Sequence, residues 1–206
     1  MGLRERRKKD TRESIILSAR QRFFSCGYKE TSMGEIAESS DVAVGTLYNY
    51  FKSKGEIMLA IANEDSSDIL TPPGNSDMDT LSVEDLVWQF TEKLIDFFSS
   101  YPRELIKELI GVFWEAGQEK LSDGLASIDI RIMNQITEMI TTLRRNGRIK
   151  KETEPQIVAL ALYGMATTAV MWYSVDPQMT LAKTRETIAA MIGHFCRGIL
   201  PEEKEI

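Results

Sequence analysis

The stretch "TSMGEIAESSDVAVGTLYNYFKSK", Thr31 to Lys54, carries two short helical signatures separated by a polar turn. Ser32 and Glu35 stand at capping-box spacing, so each can satisfy a backbone N–H that the start of a helix leaves unpaired. Met33, Ile36 and Ala37 supply the apolar face of that helix. "SSDVA" predicts a turn, and a second helix is expected over roughly Val44–Phe51. Leu47 and Phe51 fall on one face of it and can meet a core. A short helix, a tight turn and another short helix make the helix-turn-helix spacing, and the small Ala37 allows a close crossing.

The opposite face of the second helix is unusual. Thr46, Tyr48, Asn49 and Tyr50 point away from the Leu47–Phe51 side, and Lys52 and Lys54 follow where the helix ends. Hydroxyls, an amide and ammonium groups suit a surface dense in phosphate oxygens. Tyr48 is expected to donate to a phosphate, which positions without specifying sequence. Thr46 can touch phosphate or a thymine methyl, and Asn49 can pair with an adenine edge. Lys54 lies where a helix dipole favours anions, which fits if a phosphate also arrives there. Solvated lysines and asparagine, and tyrosines at the edge of a core, are the simpler alternatives. Thr31, Ser32, Val44 and Gly45 complete the candidate DNA-binding set.

Net charge over the 206 residues is −6, which by itself argues against nucleic acid. The total hides an asymmetry: residues 1–54 hold eleven Lys/Arg against seven Asp/Glu, and the remainder fourteen against twenty-four. A basic head on an acidic body implies that only the head meets a polyanion. The arm "RERRKK", Arg4–Lys9, reads as a flexible basic tail adding salt-dependent affinity, along a minor groove for instance. Cys26 and Cys196 show no metal-ligand spacing and read as buried free thiols in a reducing, cytoplasmic compartment. The charged N-terminus has no apolar stretch behind it, which predicts no signal peptide.

Helical periodicity continues throughout, without the alternation that marks strands. Asp10 or Thr11 is the expected cap of the first helix, whose stripe is Ile16, Ala19 and Phe23; Gly27 stops it in the left-handed conformation. A helix begins near Lys54. "TPPGNSDMDT", Thr71–Thr80, reads as a loop. Helices are then expected over Val83–Tyr101, Leu105–Trp114, Leu125–Arg145, Pro155–Tyr173 and a last segment carrying Ile188 to Ile199. Ile157–Val175 has no charged residue over nineteen positions, long enough to span a membrane. It is a lone segment containing Gly164, Thr167, Thr168 and Ser174. Burial between its own core and a partner subunit is therefore preferred, with no membrane contact.

Residues 12–61 resemble the DNA-binding head of the TetR/AcrR family of transcriptional regulators. The resemblance rests on Ile16, Ala19, Phe23, Gly27, Tyr28, Thr31, Ile36, Ala37, Gly45, Thr46, Leu47, Tyr48, Tyr50, Phe51 and Lys54, about a quarter of the chain. Three positions depart from the family pattern. Asp41 stands where glycine is usual in the turn, at modest cost in a left-handed backbone. Ala43 stands where a capping serine is common, which loosens that helix end by about 1 kcal/mol unless Asp41 compensates. Val44 replaces a polar or basic residue and hints at a thymine-methyl contact.

The resemblance implies an all-α protein: a helix-turn-helix head (residues 1–53, basic arm 1–9) followed by a larger helical bundle (54–206) for effector binding and dimerisation. It implies a homodimer repressing from a pseudo-palindromic double-stranded DNA operator, released by a small effector. Trp88, Phe113, Trp114, Met133, Tyr163 and Trp172 are the candidate lining of an effector pocket, and a mostly apolar effector suits them. Met171, Ile188, Met191, Ile192, Phe195 and Ile199 are the candidate dimer interface. No cofactor or metal is expected. With one histidine, no glycine-rich phosphate loop and no Glu-x-x-His pair, no catalytic site is expected either. The alternative is a helical interaction module whose basic head binds an acidic protein partner.

Overall fold

The structure, a computed structural model, describes residues 2–66, 71, 74–119 and 127–201. Among them it contains ten helices and no strand: α1 (Leu3–Ser25), α2 (Met33–Ser39), α3 (Val44–Tyr50), α4 (Lys54–Asp65), α5 (Asn75–Thr80), α6 (Val83–Ser99), α7 (Arg103–Glu119), α8 (Ser127–Arg145), α9 (Pro155–Val175) and α10 (Leu181–Ile199). They fall into two compact units, residues 1–65 with 101–126, and residues 66–100 with 127–206. An expected boundary at 53/54 is not where compactness divides the chain, because α4 and α7 pack on each other inside the first unit.

In the first unit, α1 starts at Leu3 and not at the expected cap, Asp10 or Thr11. The Gly2 N–H donates to the Glu5 carboxylate at 3.1 Å, Thr11 bonds back to the Arg7 carbonyl, and Lys9 pairs with Glu13 one turn on. Arginine, lysine and glutamate are good helix formers, so the basic arm is helical and not a flexible tail. Ile15, Ile16, Ala19 and Phe23 bury its inner face. Gly27 ends it at φ +97°, where a side chain would meet the Glu30 carboxylate.

The Ser32–Glu35 capping box opens α2 as expected. Asp41 turns the chain with φ +55°, and the Val42 N–H reaches back to the Ala37 carbonyl. Ser53 caps α4 by accepting the Glu56 N–H, and Glu56 accepts the Lys52 N–H at 2.6 Å. Six consecutive residues of α4, Ile57 to Ala62, are buried. A helix apolar all round must be covered all round. α1 and α7 pack on it, and Leu105, Ile106 and Leu109 of α7 are buried.

Where α4 ends, Arg20 makes a bidentate pair with Asp65 at 2.6 and 2.7 Å, and the Tyr101 hydroxyl donates to the same carboxylate at 2.5 Å. The hydrogen bond to Asp65 keeps the guanidinium above its ordinary pKa, and burial holds the phenol well above its own.

The second unit is built on α9, which packs against α6, α8 and α10. Leu86, Leu94, Ile132, Ile136, Leu143, Leu162, Ile188 and Ile192 fill its core. The segment expected to be a loop contains α5. The Gly74 N–H donates to the Asp77 carboxylate, and the Arg148 guanidinium donates to the carbonyls of Met78 and Leu81. A partner seventy residues away in sequence stabilises a helix too short to stand alone.

Candidate nucleic-acid interface

Ala43 precedes α3 with no side-chain cap, as its chemistry dictates. Leu47 and Phe51 are buried against the head and fix which way the helix faces. Val44 and Tyr48, four residues apart and so on one helical face, are then 45% and 43% exposed. Gly45 and Asn49 are also exposed, and a Cβ on Gly45 would meet open space. Thr46 and Tyr50 are half-buried at the edges of this face. The outward surface thus offers a phenol, an amide, a methyl-bearing side chain and bare backbone.

Around it, Ser32 is exposed at the start of α2, its hydroxyl 2.7 Å from the Glu35 carboxylate. Donation by the Ser32 N–H, then by its hydroxyl, holds Glu35 below the usual carboxylate range, and Arg22 at 2.7 Å adds to this. Lys52 is exposed and its ammonium donates to the Tyr48 carbonyl at 2.9 Å. Arg4, Arg6, Arg7 and Lys8 stand exposed on the first turns of α1. Arg12 lies over the Phe51 ring at 5.3 Å and pairs with Glu64 at 3.6 Å.

Two expected contacts are corrected. Thr31 is 1% exposed and its hydroxyl donates to the Gly27 carbonyl at 2.7 Å, so it closes the α1–α2 turn and faces inward. Lys54 is half-buried, and its ammonium bonds to the Tyr28 carbonyl at 2.7 Å, lies 3.4 Å from the Lys29 carbonyl and sits 4.6 Å from the Tyr28 ring centroid. Local spacing placed Lys54 at a helix start but could not reveal acceptors twenty-five residues earlier.

In the second unit, the outer side of α9 forms an apolar stripe: Ile157, Leu160, Gly164, Thr168, Met171, Trp172 and Val175. At 100° per residue these all fall within about 60° of one line, opposite the buried Leu162, Ala166 and Ala169. Met171, one of the expected interface residues, is exposed on this stripe. Ile188 and Ile192 do not: both are buried in their own unit, a correction to the expected interface. Met191, Phe195 and Ile199 are half-buried.

Among the expected pocket residues, Trp88, Met133 and Tyr163 are half-buried on α6, α8 and α9. Trp172 is 53% exposed on the outer stripe and is removed from the pocket set. The side chains of Phe113 and Trp114 lie outside the described residues. Cys196 is buried, and burial with the nearby Glu84 charge pushes its thiol up to about 11. Cys26, expected to be buried, is exposed just past the end of α1. Among the described residues no group of three or more His, Cys, Asp or Glu side chains could hold a metal ion. Among the described residues one helix, α9, is long and apolar enough to cross a membrane, and it packs against α6, α8 and α10.

Residues 15–61 match the family described as bacterial regulatory proteins, tetR family. The HTH-type transcriptional regulator TcmR of Streptomyces glaucescens is 38% identical over 58 residues, which span 28% of this chain and only 26% of TcmR's own length. An uncharacterized HTH-type regulator of Bacillus subtilis, YhgD, is 21% identical over 89% of this chain and 93% of its own. In fold, the chain is similar to FadR of Thermus thermophilus, a TetR-family transcriptional repressor solved with lauroyl-CoA. The TM-score is 0.69 at 18% identity, covering 95% of this chain and 98% of that one.

Proposed function

We propose, from the premise that this chain is a TetR-family DNA-binding transcriptional regulator, that it acts in the cytoplasm as a homodimeric repressor of a pseudo-palindromic operator. The observation that carries this reading is the outward face of α3, where Val44, Gly45, Tyr48 and Asn49 stand exposed over a buried Leu47 and Phe51. A helix held this way presents its side chains to a major groove. Tyr48 in the last turn of α3 and Lys52 just beyond its end are assigned to phosphates. Val44 and Asn49 are assigned to base edges, the valine to a thymine methyl and the asparagine to adenine. Ser32 and the exposed arginines of α1 add sequence-independent phosphate contacts.

The outer stripe of α9 is assigned to the two-fold interface. A self-complementary apolar face pairs two heads, and paired heads read two half-sites. The effector is assigned to the second unit, in the region of Trp88, Met133 and Tyr163. The apolar character of these helices supports a mostly apolar effector, and the FadR of similar fold binds a ligand with an apolar lauroyl chain.

The test is selection of duplexes from a random pool by the full-length protein, followed by titration against salt. A pseudo-palindrome bound with a steep salt dependence is expected. Binding that ignores sequence would instead favour a module for acidic partners.

A further inference from the structure

We infer that Lys54 is a positioning residue for the recognition helix, acting through the α1–α2 turn and not through a DNA phosphate; this rests on the DNA-binding reading above. Lys54 is the first residue of α4, where the helix dipole disfavours a positive charge. Something must offset that cost, and the protein itself supplies it. The ammonium donates to the Tyr28 carbonyl at 2.7 Å, lies 3.4 Å from the Lys29 carbonyl, and faces the Tyr28 ring at 4.6 Å. Two carbonyl dipoles and an aromatic face surround the cation and leave it little capacity for a further anion.

The consequence is geometric. Tyr28 is fixed in turn against Phe23 of the buried face of α1, ring centroids 5.1 Å apart. Lys29 pairs with Glu108 of α7 at 3.0 Å. Lys54 therefore ties the segment that follows α3 directly to a turn anchored on both α1 and α7. The C-terminal exit of α3 is held by this tie on one side and by the Glu56 carboxylate on the Lys52 N–H on the other. Losing the tie frees the orientation of α3 without removing any group that touches DNA.

The experiment uses the full-length chain, a duplex that it selects from a random pool, and an unselected duplex of equal length. Lys54→Met keeps the stem and removes the charge and the donors. Affinity for the selected duplex is expected to fall about tenfold, the worth of a charged hydrogen bond. The slope of log affinity against log salt, and the affinity for the unselected duplex, are expected to stay as they are. A lost phosphate contact would lower the slope by about 0.9 and weaken both duplexes alike, and that result overturns the inference.

Two further arms read the tie itself. Without DNA, amide exchange over residues 28–32 and 44–50 is expected to quicken in Lys54→Met; unchanged exchange overturns the inference. Adding Tyr28→Leu, which removes the ring, is expected to cost less in the variant than in the wild type; strictly additive losses count against the tie. If the wild-type chain selects no sequence at all, the regulator reading fails, while the exchange arm still decides the role of Lys54.

Discussion

Replacing Leu160 with glutamate tests the assignment of the α9 stripe. Leu160 is 60% exposed on that stripe. Full burial of a leucine is worth about 2.5 kcal/mol, so covering its exposed share contributes about 1.5 kcal/mol. A two-fold interface repeats every contact, which doubles this to about 3 kcal/mol and corresponds to roughly a hundredfold in the dimer dissociation constant. Burying an unpaired carboxylate adds to the loss. Because the side chain already faces outward in the single chain, the monomer should keep its helical circular dichroism. Sedimentation equilibrium over a concentration series reads the constant directly. Gln156→Glu, one residue before the stripe and off its line, is the control and should leave the constant unchanged. An unaltered dimer constant in Leu160→Glu would move the interface to another face, and the reasoning from exposure to partner would be wrong.

Other consequences can be checked separately. Tyr48→Phe should weaken binding to all duplexes by a similar factor, whereas Asn49→Ala should relax preference at one base per half-site; competition against a panel of single-base variants separates the two. Native protein should offer one fast thiol to a disulfide reagent, Cys26, and a second only on unfolding, because Cys196 is buried with its thiol pushed up to about 11. Tyr101→Phe removes a donor to the Asp65 carboxylate inside a largely buried site and should cost about 1.5 kcal/mol in denaturant unfolding. Glu35 titrates below its ordinary value of 4.5, so its contribution to stability is present above that pH and disappears as pH falls through its depressed value. Glu35→Gln should therefore flatten the stability profile below about pH 4.5, read by thermal melts.

Much of the head was legible because its determinants are local. The Ser32–Glu35 box, the left-handed Gly27 and Asp41, and the Leu47–Phe51 face all lie within a turn or two of the residues that they organise. Features set by distant partners were not legible. Lys54 reads as a free cation until the Tyr28 carbonyl is placed beside it. Thr31 is an exception of another kind, since the Gly27 carbonyl that takes its hydroxyl lies only four residues back and the turn between them, not distance, hides the bond. α5, in a stretch rich in proline and glycine, depends on Arg148. Ile188 and Ile192 illustrate a different limit. Periodicity locates an apolar face but does not say whether that face meets its own core or a second chain, and α9, apolar nearly all round, offered no contrast to decide it.

The packing of α4 bears on how such chains can be recombined. Its six buried residues in a row need α1 on one hand and α7 on the other, and α7 is encoded some forty residues downstream. A gene cut just after α3, or even after Asp65, would produce a fragment with one greasy flank bare. Transplanting the head onto another protein therefore calls for a discontinuous graft that carries the downstream helix along with it.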